Sequence, residues 1–376
     1  RDHPRVERLV VEAPSASRQS LRYPLPLGYE APVGVGGHVD EGDYPSFFLP
    51  PKTEAGPCAL DALLDDFFEA LACAVAGYFK KTAAFSKLGV AASGGRDSCL
   101  SLLIAWHAVQ LLHPELSGEA LRDKCGEMIA TFYMPTRFSS GGTQAAAEAI
   151  ASDLGASFMV VPVEDAFDRE REATETMLGG GTPTPLTMQN IQARLRGQRM
   201  WNWSNSSGAL FLQTGNISEK AVGYTTMGGD LEGCLSVIAN LPKTVVVALL
   251  GRLHRRFGFP GIAATLDTMA GPELAADQSG ESELMPFAVL DACLYLYAGE
   301  KLAEDEVAEA LPSLFPDIEP NQLATWAAKF AKLFTRSIFK WVQAPLVIHV
   351  GSLDLDRERA LQLPVVQRTE WRGGGK

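Results

Sequence analysis

One stretch, KLGVAASGGRDSCLSLLIAWHAVQLL from Lys87 to Leu112, leaves few folds open to this chain. LGVAA at 88–92 is too short for a helix and carries only apolar or small residues, as a strand covered on both faces does. Two glycines follow almost at once. From Ser98 to Leu112 the chain is apolar around most of its circumference, the pattern of a buried helix. A buried strand turned by glycines into a buried helix opens a parallel sheet, because a parallel neighbour is reached only through a crossover.

The segments that follow repeat this alternation. Leu60 onward, LDALLDDFFEALACAVAGYFKK, has helical apolar spacing. EMIATFYMP (127–135), SFMVVPV (157–163) and ALFLQT (209–214) read as further strands. They are separated by an Ala-rich helix over 141–155, closed by Gly155, and a helix from about Met188 to Trp203. The expected class is therefore α/β, an open parallel sheet with helices on both faces. Beyond Lys243 the pattern is mainly helical, over 243–257, 285–299, 304–314 and 320–335, which gives a helical C-terminal region. Residues 1–58 are rich in Pro and Gly and read as an extended arm or linker, with Tyr44, Phe47 and Phe48 available to pack on a neighbour. The main domain is expected over 59–350 and a frayed tail over 351–376.

Charge and cysteines narrow the function. A net charge of −12 repels phosphate backbones, which argues against a nucleic-acid partner but leaves room for a small anion in a local basic pocket. Cysteines 58, 73, 99, 125, 234 and 293 show no paired ligand spacing, so zinc, iron–sulfur and disulfide frameworks are poorly supported. They read as reduced thiols of a cytoplasmic protein. No apolar run is long enough to span a bilayer, so no membrane partner is expected.

The turn itself is the chemical feature. In the segment Ala91, Ala92, Ser93, Gly94, Gly95, Arg96, Asp97, Ser98, two glycines let a bound group approach the backbone, and the following helix offers N–H groups and its positive dipole end. Ser93 and Ser98 add hydroxyls. Together these make an anion nest of phosphate size at the carboxyl end of a strand. The Gly-Lys-Ser/Thr ending of the nucleotide-hydrolase loop is missing, as is the G-x-G-x-x-G spacing of dinucleotide folds. A carboxylate at Asp97 would repel phosphate unless a cation lay between them, which points to Mg²⁺.

The string S-G-G-x-D-S after an apolar strand resembles the pyrophosphatase loop of the N-type ATP pyrophosphatases. Three further stretches resemble the NAD synthetase family within that group. These are Asn190-x-Gln-Ala-Arg194-x-Arg196, Thr214-Gly-Asn-x-Ser-Glu219 followed by Gly229-Asp230, and Pro242-Lys243-Thr244. They occur in the family's order at matching spacing, and MPTRFSS (134–140) also fits. The resemblance implies an adenine nucleotide alpha hydrolase-like fold. It also implies ATP-dependent amidation of deamido-NAD to NAD⁺ through an adenylated intermediate, with AMP and pyrophosphate released. It assigns ATP to residues 91–98, Thr214 and Lys243, and Mg²⁺ to Asp97 and Glu219. Deamido-NAD falls to Asn190, Arg194, Glu219, Asp230 and Lys340. Asp97, Lys243 and Glu219 are the expected catalytic set.

PELAADQSGESELMPFAVLDACLYLY (272–297) and SIFKWVQAP (337–345) resemble glutamine-dependent members, in which an upstream nitrilase-like domain supplies ammonia. That likeness, with Arg1 and the Pro-rich arm, implies the synthetase part of a longer polypeptide, a glutamine amidase domain upstream or in trans, and a homodimer or higher homo-oligomer. Gln213, Gly228 and Cys234 depart from the family's usual residues. Thr265 and Thr268 are both possible contacts for ATP. Arg96, at a position often aliphatic, either points to solvent or reaches a phosphate. Rival readings are a GMP synthetase-like or tRNA-thiolating ligase, and a nucleotide-binding module without turnover.

Overall fold

In this computed structural model the described residues are 58–268, 274, 284–350, 353–356 and 361. The expected N-terminal arm and most of the tail lie outside them. Six strands form one sheet: β1 (Lys87–Ala91), β2 (Ile129–Tyr133), β3 (Ser157–Val160), β4 (Ala209–Gln213), β5 (Leu235–Ser236) and β6 (Leu346–Val347). Every pair is parallel, in the order β3-β2-β1-β4-β5-β6. The chain builds outward from β1 to β3, then crosses to the other side of β1 and builds outward again. The two directions part between β1 and β4, and the loops at their carboxyl ends diverge into a crevice.

The helices are α1 (Cys58–Thr82), α2 (Arg96–Leu112), α3 (Gly118–Met128), α4 (Gly141–Leu154), α5 (Glu164–Met177), α6 (Pro185–Ser207), α7 (Ile217–Val222), α8 (Lys243–Phe257), α9 (Pro260–Asp267), α10 (Phe287–Leu294), α11 (Glu304–Leu314) and α12 (Pro320–Trp341). Central strand residues such as Leu88, Val90, Leu210 and Leu212 are wholly buried. They share one core with α1, α2, α4 and α8, including Phe68, Leu103, Ile150 and Leu249. A second core joins α7 to α10, α11 and α12 through Ile217, Leu290, Leu311, Phe330 and Trp341.

Local chemistry explains most boundaries. Ser140 caps α4 by accepting from Thr143 N, and Gly155 ends it in the left-handed region, as its sequence suggests. α6 is longer at both ends than its apolar pattern because Thr184 caps it, Pro185 opens it and Gly208 closes it. α2 starts two residues earlier than expected, at Arg96, directly on the glycine turn. The stretch read as one helix over 285–299 is α10 followed by a π-helical turn, Tyr295–Gly299, and α12 continues to Trp341.

Three differences are larger. The sheet has six strands, not four, since β5 and β6 have two residues each and leave no periodic trace. α3, α5 and α9 were not expected; α3 and α5 are polar amphipathic helices, and α9 has only 8 residues. The tail is not frayed throughout, because Leu353, Leu355 and Leu361 are buried in the second core. Among the described residues no helix is long and apolar enough to cross a membrane.

Candidate active site

A cavity of about 490 Å³ opens where the carboxyl ends of β1 and β4 diverge. On one side the β1–α2 turn supplies Ala91, Ala92, Ser93, Gly95, Arg96, Asp97 and Ser98. Gly94 is not on the cavity surface; it shapes the turn from beneath. Its φ is +78°, and a Cβ there would sit 2.0 Å from the carbonyl oxygen of Thr143 on α4. A side chain at Gly94 would thus strike the α4 backbone, so the turn needs glycine there whatever it binds. The turn is tied internally, with Ser98 Oγ donating to Gly95 O (2.9 Å) and Ser93 N donating to Ser98 Oγ (3.2 Å). Gly95 is the N-cap of α2 and has no side chain to cap it, so the first-turn N–H groups depend on solvent or a ligand.

Asp97, Glu219 and Lys243 converge on this wall. They come from the first turns of α2, α7 and α8, and Asn216 holds α7 in place by accepting from Glu219 N (2.9 Å). The Lys243 ammonium pairs with Asp97 Oδ2 and, at 3.1 Å, with Glu219 Oε1. Lys243 is only 5% exposed. Burial works against its charge, but the two carboxylates outweigh burial and raise its pKa above the ordinary lysine value. Burial raises Glu219, and the Asp97 charge adds to this against the pull of Lys243. Two carboxylates share one ammonium, and Asp97 Oδ1 is buried with no hydrogen-bond partner among the described residues. An orphaned carboxylate oxygen beside a second carboxylate, both facing the cavity, fits a hard divalent cation such as Mg²⁺.

α6 and the 223–230 loop also line the cavity. Asn190, Thr214, Asp230 and Lys340 all line the cavity. Asn190 Oδ1 accepts from Thr226 Oγ1 (2.8 Å), and Asp230 Oδ1 accepts from Thr226 N (2.5 Å). Lys340 donates to the carbonyls of Gly223 and Thr225, each at 2.6 Å, which fixes that loop. Burial lowers the Lys340 pKa, and Asp230 partly restores it.

Arg194 stands apart. It is exposed, lies outside the cavity lining and donates to Met227 O at 3.0 Å. Arg196 lines the cavity instead, its Nε donating to Met134 O at 2.9 Å. Helix geometry explains the exchange. The lining residues Gln189, Ala193, Arg196, Gly197 and Met200 centre the cavity face between Ala193 and Met200. At about 100° per residue, Asn190 lies at the edge of that face and Arg194 lies about 40° beyond it. Standing four residues after Asn190 therefore does not by itself bring Arg194, which the resemblance assigns to deamido-NAD, to the cavity wall.

Arg96 lines the cavity but donates through Nη2 to Leu266 O at 3.2 Å, near the carboxyl end of α9. That contact suits a cation at a helix C-terminus and gives Arg96 a protein partner at the cavity edge. Thr268 lines the cavity and Thr265 does not; Thr265 is buried, with its hydroxyl bonded to Gly261 O (2.9 Å). The sequence also gave no role to Phe287, whose ring centroid lies 5.4 Å from Lys243 Nζ. Gln213, noted only as a departure, donates to Asp230 O at 2.8 Å and braces the loop.

The NAD synthase family profile matches residues 68–326. The chain belongs to the NAD synthase family. Among curated proteins it is 32% identical over 246 residues to a glutamine-dependent NAD(+) synthetase from Thermotoga maritima, covering 65% of this chain and 40% of that protein. It is 29% identical over 316 residues to one from Acinetobacter baylyi, covering 84% and 53%. The chain thus spans about half or less of the length of these relatives. Among solved structures, a glutamine-dependent NAD(+) synthetase from Cytophaga hutchinsonii superposes with a TM-score of 0.72 at 22% identity, over 82% of this chain and 55% of that one. That likeness supports the shared fold of the family.

Proposed function

We propose that this chain performs the amide-forming half of a glutamine-dependent NAD⁺ synthetase, converting deamido-NAD to NAD⁺ at the expense of ATP. The observation that carries this reading is the Asp97–Lys243–Glu219 cluster beside an uncapped helix N-terminus, on one cavity, in a chain of this family.

A pyridine carboxylate does not react with ammonia, because oxide is a poor leaving group. Its oxygen attacks the α-phosphorus of ATP, the bond to pyrophosphate breaks, and a mixed anhydride forms. Ammonia then attacks the carbonyl carbon, the bond to AMP breaks, and a proton leaves the new amide. Little side-chain covalent chemistry is required; the chain positions two anions and compensates charge. Residues 93–98 and the start of α2 receive the departing pyrophosphate through N–H groups and hydroxyls. Lys243 offsets the charge growing on the phosphates. Asp97 and Glu219 would hold Mg²⁺, which supplies Lewis-acid neutralisation of phosphate charge when bound. Thr214 contacts ATP. Asn190, Asp230 and Lys340, on the same cavity, orient the dinucleotide, with Arg196 added to that set and Arg194 kept as a contact at the rim.

The same reading includes a nitrilase-like amidase that supplies ammonia from glutamine, a homodimer or higher homo-oligomer, and a cytoplasmic location. The test is turnover of the chain with ATP, Mg²⁺, deamido-NAD and ammonium, following NAD⁺, AMP and pyrophosphate. Equal amounts of NAD⁺ and AMP are expected with ammonium, and none with glutamine alone. A chain that forms neither product under either condition overturns the reading.

A further inference from the structure

α8 begins at Lys243 after Pro242, a residue that cannot cap a helix with its side chain. Its leading N–H groups are nevertheless satisfied, from two other helices. Lys243 N donates to Ser218 Oγ on α7 at 2.8 Å, and Thr244 N donates to Asp291 Oδ2 on α10 at 2.9 Å. Thr244 Oγ1 donates to the same oxygen at 2.7 Å, while the Ser218 hydroxyl donates to Asp291 Oδ1. Asp291 is wholly buried, and both of its oxygens are spent on this junction.

The position of the junction is what matters. Ser218 immediately precedes Glu219, and Thr244 immediately follows Lys243, so one carboxylate on α10 holds the side chain before one member of the charged cluster and the backbone after another. Phe287, one turn earlier on the same helix, puts its ring 5.4 Å from the Lys243 ammonium. α10 therefore supports the start of α8 twice, at the Thr244 backbone and at the charged end of Lys243. An anion under a helix N-terminus is also favoured by the helix dipole.

We propose that Asp291 is a positioning residue for the reaction, setting Lys243 and Glu219 relative to Asp97 by joining the first turns of α7 and α8 from the C-terminal helical region. It touches no substrate. Its effect passes through the geometry of the cluster, where displacements of the order of 1 Å cost about a hundredfold in rate.

The proposal rests on the amide-ligase reading, so the unaltered full-length chain is assayed first; absence of turnover there counts against that reading alone. In an active protein, Asp291→Ala and the near-isosteric Asp291→Asn are compared by ATP–pyrophosphate exchange with deamido-NAD. Rates are normalised to the folded fraction. Asp291→Ala is expected to lower kcat about 30- to 100-fold with KM for ATP changed less than threefold. Asp291→Asn keeps an acceptor for Thr244 N–H and is expected to recover a large part of kcat. Amide hydrogen exchange at Lys243 and Thr244 should accelerate in Asp291→Ala relative to the rest of α8. If Asp291→Ala does not fold, Asp291→Asn and Ser218→Ala carry the test, each with lowered kcat and near-normal KM for ATP. A kcat per folded molecule equal to the unaltered chain in Asp291→Ala, or in Ser218→Ala where Asp291→Ala does not fold, overturns the proposal and leaves Asp291 a purely structural cap.

Discussion

Lys243 is the residue on which the site's charge balance turns. Its removal leaves Asp97 and Glu219 facing each other with no fixed cation, in a wall where Glu219 already resists ionisation through burial. Both carboxylates keep about a fifth of their side chains accessible, which moderates the penalty. Lys243→Ala should lower turnover at least about a hundredfold. Urea unfolding at pH 7.5 in EDTA should show a loss of about 1–3 kcal/mol, with part of it recovered on adding Mg²⁺. No effect of Mg²⁺ on the variant's stability would argue against Asp97 and Glu219 as the metal pair.

Asp291 offers a pH test at the same scale. Burial pushes its carboxyl up to about 6, against the Ser218 and Thr244 hydrogen bonds. A folded pKa above the unfolded value of 3.8 means the folded state holds the proton more tightly. The associated stability is present in full below about 3.8 and is lost as pH rises through about 6, amounting to about 3 kcal/mol. The stability difference between the unaltered chain and Asp291→Asn, measured by urea unfolding from pH 4 to 8, should fall along that curve. A difference that stays flat would contradict the shift. A carboxylate kept where it costs stability at neutral pH is consistent with a role in holding the site.

Among elements, α1 is fastened to α8 by charge as well as by apolar packing. Arg252 donates from Nε and Nη2 to Asp65 (3.2 and 2.7 Å) and from Nη1 to Asp61 (3.2 Å), with Arg255 and Arg256 completing the network. A forked arginine in a network exceeds an isolated surface pair. Arg252→Ala should therefore cost about 1–2 kcal/mol, less in 1 M salt, with kcat little changed. A loss of turnover without a loss of stability would mean that this clamp acts on the site through α8. The elements also mark what a sequence displays. The β1 turn was legible because its requirement is local: Gly94 alone tolerates that φ against the Thr143 backbone. Asn190, Asp230 and Lys340, assigned to the dinucleotide by the resemblance, line the cavity. Arg194 does not, since an i, i+4 relation places two residues on one face without saying where that face points. Asp291 was invisible for a different reason. Its partners are 73 and 47 residues away, and a buried aspartate in an apolar helix has no periodic sign of its function.

For the whole molecule, Asn240 ties the C-terminal segment to the approach to the site. This residue is 2% exposed and lies three positions before Lys243. Its Oδ1 accepts from Val350 N at 2.9 Å, and its Nδ2 donates to Leu353 O. The segment after β6 is thereby held against the loop that leads into α8, while β6 itself pairs with β5 at the sheet edge. A two-residue strand cannot hold that edge by its own ladder. Asn240 and the buried Leu353, Leu355 and Leu361 supply the rest. Removing the residues after 345 should expose β5, strip the Asn240 partners and loosen the entry to Lys243. Asn240→Ala isolates the last effect, leaving Val350 N–H and the Leu353 carbonyl without partners at an expected cost of about 2–4 kcal/mol. Hydrogen exchange should then quicken in 236–244 and in 346–353 together, since each holds the other. Faster exchange in only one of the two segments would show that the C-terminal region folds onto the sheet independently of the site.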